Sequence, residues 1–153
     1  MLAKSVFSFT LSLILLAGST PCMQAAGAES GSVQTEPQAL VGEFYTWYVA
    51  TSAASPNLPI LDDAIYKFVY PCTVKRCRID LKKGIVSADY FLQSNDFDPE
   101  FYADATPHEP IQLGPEVCMV PLGFRGTHGE PILIVFVQND DGELRISKVE
   151  APF

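Results

Sequence analysis

The chain has 153 residues, 48% of them hydrophobic, and carries ten Lys and Arg against 18 Asp and Glu for a formal net charge of −8. That length suits one domain. The negative balance argues against nucleic acid and against an anionic membrane surface as partners, because both need a cationic face, and it suits solubility and a basic protein partner.

Residues 1–28 read as a cleaved signal peptide. Lys4 supplies one positive charge, an apolar run follows over 6–17, and Ala26-Gly27-Ala28 is a small-x-small cleavage site, with Gln24-Ala25-Ala26 as the alternative. The apolar run is too short to span a bilayer. Cleavage after Ala28 leaves 125 residues and removes Lys4, the leader's one charge, so the net charge becomes −9. The expected location is periplasmic or secreted. Pro21 directly before Cys22 argues against lipoprotein processing, and no later apolar run is long enough for stable membrane insertion.

Residues 29–36 are small and polar and read as a flexible lead-in to a single α+β domain over 37–153. Thr35, Pro37 and Gln38 have the spacing of a helix start, with a capping box and a first-turn proline. The helix they open runs to Thr51 and holds the one tryptophan. Leu40, Phe44, Trp47, Tyr48 and Thr51 fall on one stripe, which needs a large covering surface. Phe44 and Trp47 read as the plug of that surface, while Tyr45 and Tyr48 can bring hydroxyls to a pocket mouth. Ser52 to Pro59 is a loop marked by two prolines and Asn57. A second helix is expected over 61–70, with Asp62 and Asp63 at its positive end, Leu61, Ile65, Phe68 and Val69 buried, and Pro71 as its stop.

Residues 72–84 are basic: Lys75, Arg76, Arg78, Lys82 and Lys83 lie there, on a solvated helix or hairpin with Ile79 and Leu81 turned inward, the alternative being a binding patch for an acidic group. Cys72 and Cys77 bracket Thr-Val-Lys-Arg, and an oxidising compartment favours a local disulfide between them. Pairing of either with Cys118 stays open. A metal site would lack a second ligand pair, so no metal and no cofactor is expected. Cys118, between Val117 and Met119, reads as a buried strand thiol, or as a bridge to a second copy in a homodimer. Residues 85–93 suggest a short helix that packs Tyr90 or Phe91 into the core.

From 84 to 124 there is no lysine or arginine, whereas Asp89, Asp96, Asp98, Glu100, Asp104, Glu109 and Glu116 all fall there. Much of this stretch is loop, and a long acidic loop in a compact domain is more often functional than neutral. Asp96-x-Asp98-x-Glu100 has the alternation of a calcium loop but lacks its sixth-position glycine and distal glutamate, so Asp98 reads as the cap of a turn beginning at Pro99. Asp89 pairs naturally with Tyr45 or Tyr48. His108 and His128 stand in loop contexts without support for a general base, so no catalytic residue is assigned, and an enzyme using Asp89 as acid or base ranks last because no catalytic partner for Asp89 is visible.

The last third reads as antiparallel sheet. Residues 117–124 form a strand, 125–131 a connection, and 132–137 an apolar strand that is central or covered on both faces. Asn139-Asp140-Asp141-Gly142 is a hairpin turn, and 144–149 alternates as the final strand. Two or three helices followed by a curved antiparallel sheet make an α+β, cone-like architecture.

Phe44-Tyr45-x-Trp47-Tyr48, a second helix, Asp89-Tyr90-Phe91 and the closing hydrophobic hairpin together resemble an exported bacterial family with the cone-shaped nuclear-transport-factor-2-like fold. Exported members are similar to immunity proteins of type VI secretion systems, which bind and block peptidoglycan amidase effectors in the periplasm. The resemblance implies an inhibitor rather than an enzyme. Asp96, Asp98, Glu100, Asp104 and Glu109 are then the expected partner-binding set, offering steering toward a basic wall-binding enzyme. The alternative is a periplasmic small-ligand or envelope-associated module, with Tyr45, Tyr48, Asp89 and Tyr90 lining a pocket between helix and sheet.

Overall fold

The computed structural model describes residues 36–85, 88–140 and 142–152. The leader, Cys22, the cleavage site and the Thr35 cap fall outside these residues. The described residues belong to one compact unit.

Helix α1 (Glu36–Ala54) opens on Pro37 in its first turn, where the missing N–H costs no intrahelical bond. It ends before Pro56, with Ser55 N donating to Thr51 O at 3.2 Å. Its buried residues are Val41, Phe44, Tyr45 and Tyr48. The buried stripe is therefore rotated from the expected one. Leu40 and Trp47 pack only partly against the core, and Tyr45 takes the central place instead. Phe44 sits in the middle of an aromatic cluster, with ring centroids 4.9 Å from Tyr45, 5.3 Å from Tyr48 and 5.1 Å from Phe91. Trp47 stacks on Phe68 at 5.6 Å at the edge of that cluster.

The expected helix over 61–70 does not form. Two short 3-10 turns, Pro59–Leu61 and Asp63–Lys67, stand there, the second capped by the Asp62 carboxylate accepting from Ala64 N at 2.8 Å. The chain then extends, and Val69 makes a parallel bridge to Ile146. Pro71 explains the change. A residue before proline is pushed out of the helical region, and Tyr70 adopts ψ 132°. Pro71 is the first residue of helix α2 (Pro71–Lys82), so it starts a helix rather than stopping one.

α2 carries the basic segment and buries Thr73, Val74 and Cys77. Ile79 is 39% exposed, not inward as its apolarity suggests, while Leu81 is half-buried. The expected Cys72–Cys77 disulfide is overturned: both thiols are free, as is Cys118. Five positions apart on a helix, two Cα atoms are about 8.6 Å apart by ideal geometry, beyond the ~7 Å that a disulfide can span. Cys72 faces solvent while Cys77 faces the core. Cys118 is buried, as expected of a strand thiol.

The sheet has five antiparallel strands: β1 (Thr106–Pro107), β2 (Ile111–Gln112), β3 (Val117–Gly123), β4 (Pro131–Asp140) and β5 (Glu143–Glu150). The order is β1-β3-β4-β5, with β2 also paired to β3. Pro121 is tolerated inside β3 because its missing N–H faces the gap between the two short strands, on the side where its carbonyl accepts from His108 N at 2.8 Å. The hairpin between β4 and β5 closes where expected, with Gly142 at φ 87° and its N–H donating to Asn139 Oδ1 at 2.9 Å. Leu133, Val135 and Val137 face the helices, whereas Ile132, Ile134 and Phe136 are half-exposed on the outer face. Among the described residues the β4 strand is thus buried on one face, the one that carries Leu133, Val135 and Val137.

Two measurements check this architecture. Phe44→Ala should lower the unfolding free energy by about 3–5 kcal/mol in chemical denaturation, the usual cost of deleting a fully buried ring. Under non-reducing, native conditions, alkylation with peptide mapping should label Cys72 rapidly and reach Cys77 and Cys118 only on unfolding.

Candidate functional site

A short helix is expected over 85–93; residues 86 and 87 lie outside the described ones, and residues 88–94 form a tight turn instead. Asp89 N donates to Ser94 O and Gln93 N to Asp89 O, both at 2.8 Å, and Gln93 takes φ 51° to close it. Inside the turn, Asp89 Oδ1 accepts from the backbone N–H groups of Phe91 at 2.8 Å and Leu92 at 2.9 Å. These bonds aim Phe91 into the aromatic cluster, where it is fully buried.

Two phenols of α1 fasten the turn. Tyr48 donates to Asp89 Oδ2 at 2.7 Å, and Tyr45 donates to the Phe91 carbonyl at 2.8 Å. Both tyrosines are essentially inaccessible. Burial, and then the negative charge of Asp89, push both phenol pKa values well above their ordinary value. The two hydroxyls stay protonated and remain donors throughout the physiological range.

Between this turn, the C-terminal end of α1, the 55–60 loop and α2 lies a groove of about 440 Å³. Its floor is made by buried residues, among them Tyr48, Ile60, Cys77, Phe91 and Leu92. Its rim carries Leu58, 45% exposed, and Phe97, 38% exposed. Asp80, Asp89 and Asp96 bring carboxylates to it, and Arg76 brings the one cation. Arg76 reaches to the Tyr90 hydroxyl at 3.3 Å and lies over that ring, 6.0 Å from its centroid.

The expected pocket residues Tyr48, Asp89 and Tyr90 all line this groove. Tyr45 does not; it is sealed in the core behind Phe91. Of the acidic set, Asp96 lines the same groove, which joins the two groups of residues singled out from sequence. Asp98 and Glu100 continue outward on the next turn, where Asp98 Oδ1 accepts from Glu100 N at 2.9 Å as a cap. Asp104 and Glu109 are exposed and do not line the groove. Asp104 pairs with Arg125, whose Nε lies 2.9 Å from Oδ2, and that pair fixes the acidic loop to the β3–β4 connection. There Gly126 lets the Phe101 ring approach closely, since a Cβ would meet it at 2.0 Å and force the ring to move.

Leu58, Ile60 and Asp80 were not singled out from sequence, and Arg76 was read only as one of the basic segment's cations. Arg76 and Asp80 sit four apart on α2, a spacing that puts them on one helix face, but the signal is hidden in a segment that reads only as basic. Leu58 and Ile60 flank a proline in what reads as an ordinary loop.

The residues with nucleophile or base chemistry are buried, engaged elsewhere or outside the groove. Burial raises the Cys77 thiol pKa, which keeps it from being a thiolate nucleophile. His108 is engaged at 2.7 Å with the Gly129 carbonyl, and His128 is exposed in the β3–β4 connection. Among the described residues no group of His, Cys, Asp and Glu is placed to hold a metal ion.

No protein-family model matches the chain, and no curated protein matches it in sequence. Solved structures do. A chain in the crystal structure of the type VI native effector–immunity complex Tae3–Tai3 from Ralstonia pickettii is 28% identical, with a TM-score of 0.67 over 78% of this chain and 98% of that one. The selenomethionine form of the same complex gives 28% identity and a TM-score of 0.64, over 76% and 97%. The α+β fold is shared with that protein nearly end to end, and the chain is similar to type VI immunity proteins.

The two buried phenols set a pH dependence. Tyrosine ordinarily titrates at 10.0, and burial holds both in their protonated form when folded. Above about pH 10 the unfolded chain releases these protons and the folded chain keeps them, so stability is full below that pH and falls as pH rises past it. Urea titrations between pH 7 and 11 should show this decline, flattened in a Tyr45→Phe/Tyr48→Phe double variant. At neutral pH each single variant should cost about 1–3 kcal/mol, because Phe91 O or Asp89 Oδ2 loses its donor.

Proposed function

We propose that this chain is a periplasmic immunity protein that binds and blocks a type VI effector, a peptidoglycan amidase, through the acidic surface around residues 96–109. The observation that carries the proposal is the likeness, at 28% identity and a TM-score of 0.67, to a chain of an effector–immunity complex, spanning 98% of that chain. Three features support the binding role. The groove offers floor, rim and charge but no nucleophile–base pair among the described residues. The acidic segment is tied to the core, with Arg125 N donating to Ala103 O and Gly126 N to Phe101 O, and with Tyr102 packed on Phe124. The net charge of −8 suits a basic partner that acts on the cell wall. No described helix is long and apolar enough to cross a membrane.

The test is a co-purification and an inhibition assay with a candidate type VI peptidoglycan amidase. A stable complex and loss of peptidoglycan hydrolysis at near-stoichiometric inhibitor are the expected results. Hydrolysis at full rate in the presence of excess protein would refute the proposal. Reversing Asp96, Asp98 and Glu100 to lysine should slow association by about tenfold at low salt, with the difference shrinking as ionic strength rises. An association rate independent of salt in the unaltered protein would remove the steering role of these acids.

A further inference from the structure

We propose that the groove beside Tyr48 and Asp89 is the anchor socket for the effector, and that it takes a protruding loop carrying a lysine or arginine next to a large apolar side chain. This inference rests on the immunity reading and assigns the partner's point of entry within it.

The volume and lining come first. About 440 Å³ is within the usual range of pockets that bury a compact ligand. The floor is apolar, and Ile60, Phe91 and Leu92 are already packed in the core of the free chain. Leu58 and Phe97, by contrast, stand exposed on the rim. Large apolar side chains around a concavity are the pattern of an interface hot spot, where an inserted side chain and its rim exclude water together.

Charge then selects the occupant. The ion pairs among the described residues are Arg78–Asp63, Arg125–Asp104, Arg145–Glu143 and Lys148–Glu150. Asp80, Asp89 and Asp96 therefore face the groove with no cation bound to them. The single cation on the wall, Arg76, is turned to the Tyr90 ring and hydroxyl. Asp89 is fixed by three donors, Tyr48 Oη, Phe91 N and Leu92 N, and a carboxylate has about four acceptor sites, which leaves room for one more donor. An anionic ligand would meet three carboxylates. A lysine or arginine matches the groove at both ends, laying its apolar stem along Leu58 and Phe97 and presenting its charge to the acids.

A protein loop fits better than a free small molecule because the groove continues into the acidic surface. Asp96 and Phe97 belong to the wall, and Asp98 and Glu100 follow directly on the exposed turn. A partner steered by the acids would meet the socket at the same place.

Binding to the effector of Leu58→Ser, Phe97→Ser and Asp80→Asn tests the proposal, with equal melting temperatures as the check on folding. The two rim variants should weaken affinity tenfold or more, mainly through faster dissociation, and Asp80→Asn several-fold. Hydrogen exchange on the unaltered complex gives a second reading that needs no variant: residues 55–60, 76–81 and 89–97 should gain protection. Affinities within twofold of the parent would overturn the socket while leaving the immunity reading intact, as would protection confined to the outer face of β3 and β4. Groove protection that follows this protein's own concentration, or a small molecule retained in the groove of the complex, would also overturn it. Absence of any complex with the unaltered chain would instead remove the immunity reading itself.

Discussion

The structure depends on one constraint: α1 buries two phenols, and each buried hydroxyl must find an acceptor. An unpaired phenol in the core costs about as much as a lost hydrogen bond with its full desolvation penalty. The chain meets this need from a single turn. Tyr48 donates to the Asp89 side chain and Tyr45 to the carbonyl of Phe91, two residues on. That same Asp89 organises the turn by accepting from the N–H groups of Phe91 and Leu92. Core packing and turn geometry are therefore one network, with a carboxylate at its centre. The network places Phe91 against Phe44, so the aromatic cluster is completed by the same residues that build the groove.

From that turn the rest of the surface follows. The wall of residues 94–97 projects from the Asp89–Ser94 closure, and the Asp98 cap hands the chain to Phe101 and Tyr102. Tyr102 packs edge-on to Phe124, and Gly126 N donates to Phe101 O at 2.9 Å. The acidic segment is thus stitched to the core at both ends, although few of its acids are used in the stitching. Asp89, Asp98 and Asp104 take structural bonds. The Asp96 and Glu100 side chains are exposed and make no ion pair with a described residue. A loop tied to the core that keeps free carboxylates has less conformational entropy left to lose on contact than an untethered one.

Much of the sheet was legible in the sequence because its signals are local. The alternation of 144–149, the β-branched run of β4 and the Asn139–Gly142 turn each declare themselves within a few residues. What was not legible depended on choices that local pattern leaves open. Hydrophobicity favours Trp47 over Tyr45 as the core residue, yet Tyr45 is the more buried, because the 89–91 turn supplies an acceptor for its hydroxyl and no sequence window contains both. Pro71 has two meanings, as a helix stop and as a first helical residue, and the strand bridge from Val69 to Ile146 decides between them. The cysteine spacing suggested a bridge only while 72–77 was taken for a loop; placed on α2, the same spacing separates the thiols. The groove was half visible, since Tyr48, Asp89 and Tyr90 were grouped by chemistry. Its second wall comes from α2 and the 55–60 loop, remote in sequence and brought in by the unexpected 3-10 turns.

Charge segregation along the chain also gains a spatial meaning. Arg78 is spent inside the fold: its Nε donates to the Ile60 carbonyl at 2.8 Å, and its guanidinium pairs with Asp63 and lies over the Tyr66 ring, 5.1 Å from the centroid. It thereby pins the 3-10 turns to α2 and holds the Leu58–Ile60 wall in position. Lys75, Lys82 and Lys83 are exposed and make no ion pair with a described residue. One side of the groove therefore belongs to a basic helix and the other to an acidic turn, with carboxylates of both elements turned inward. A partner approaching such a boundary feels attraction to one side and repulsion from the other, so it is oriented before contact. Orientation of this kind discriminates between surfaces of equal net charge, which bulk negative charge alone cannot do.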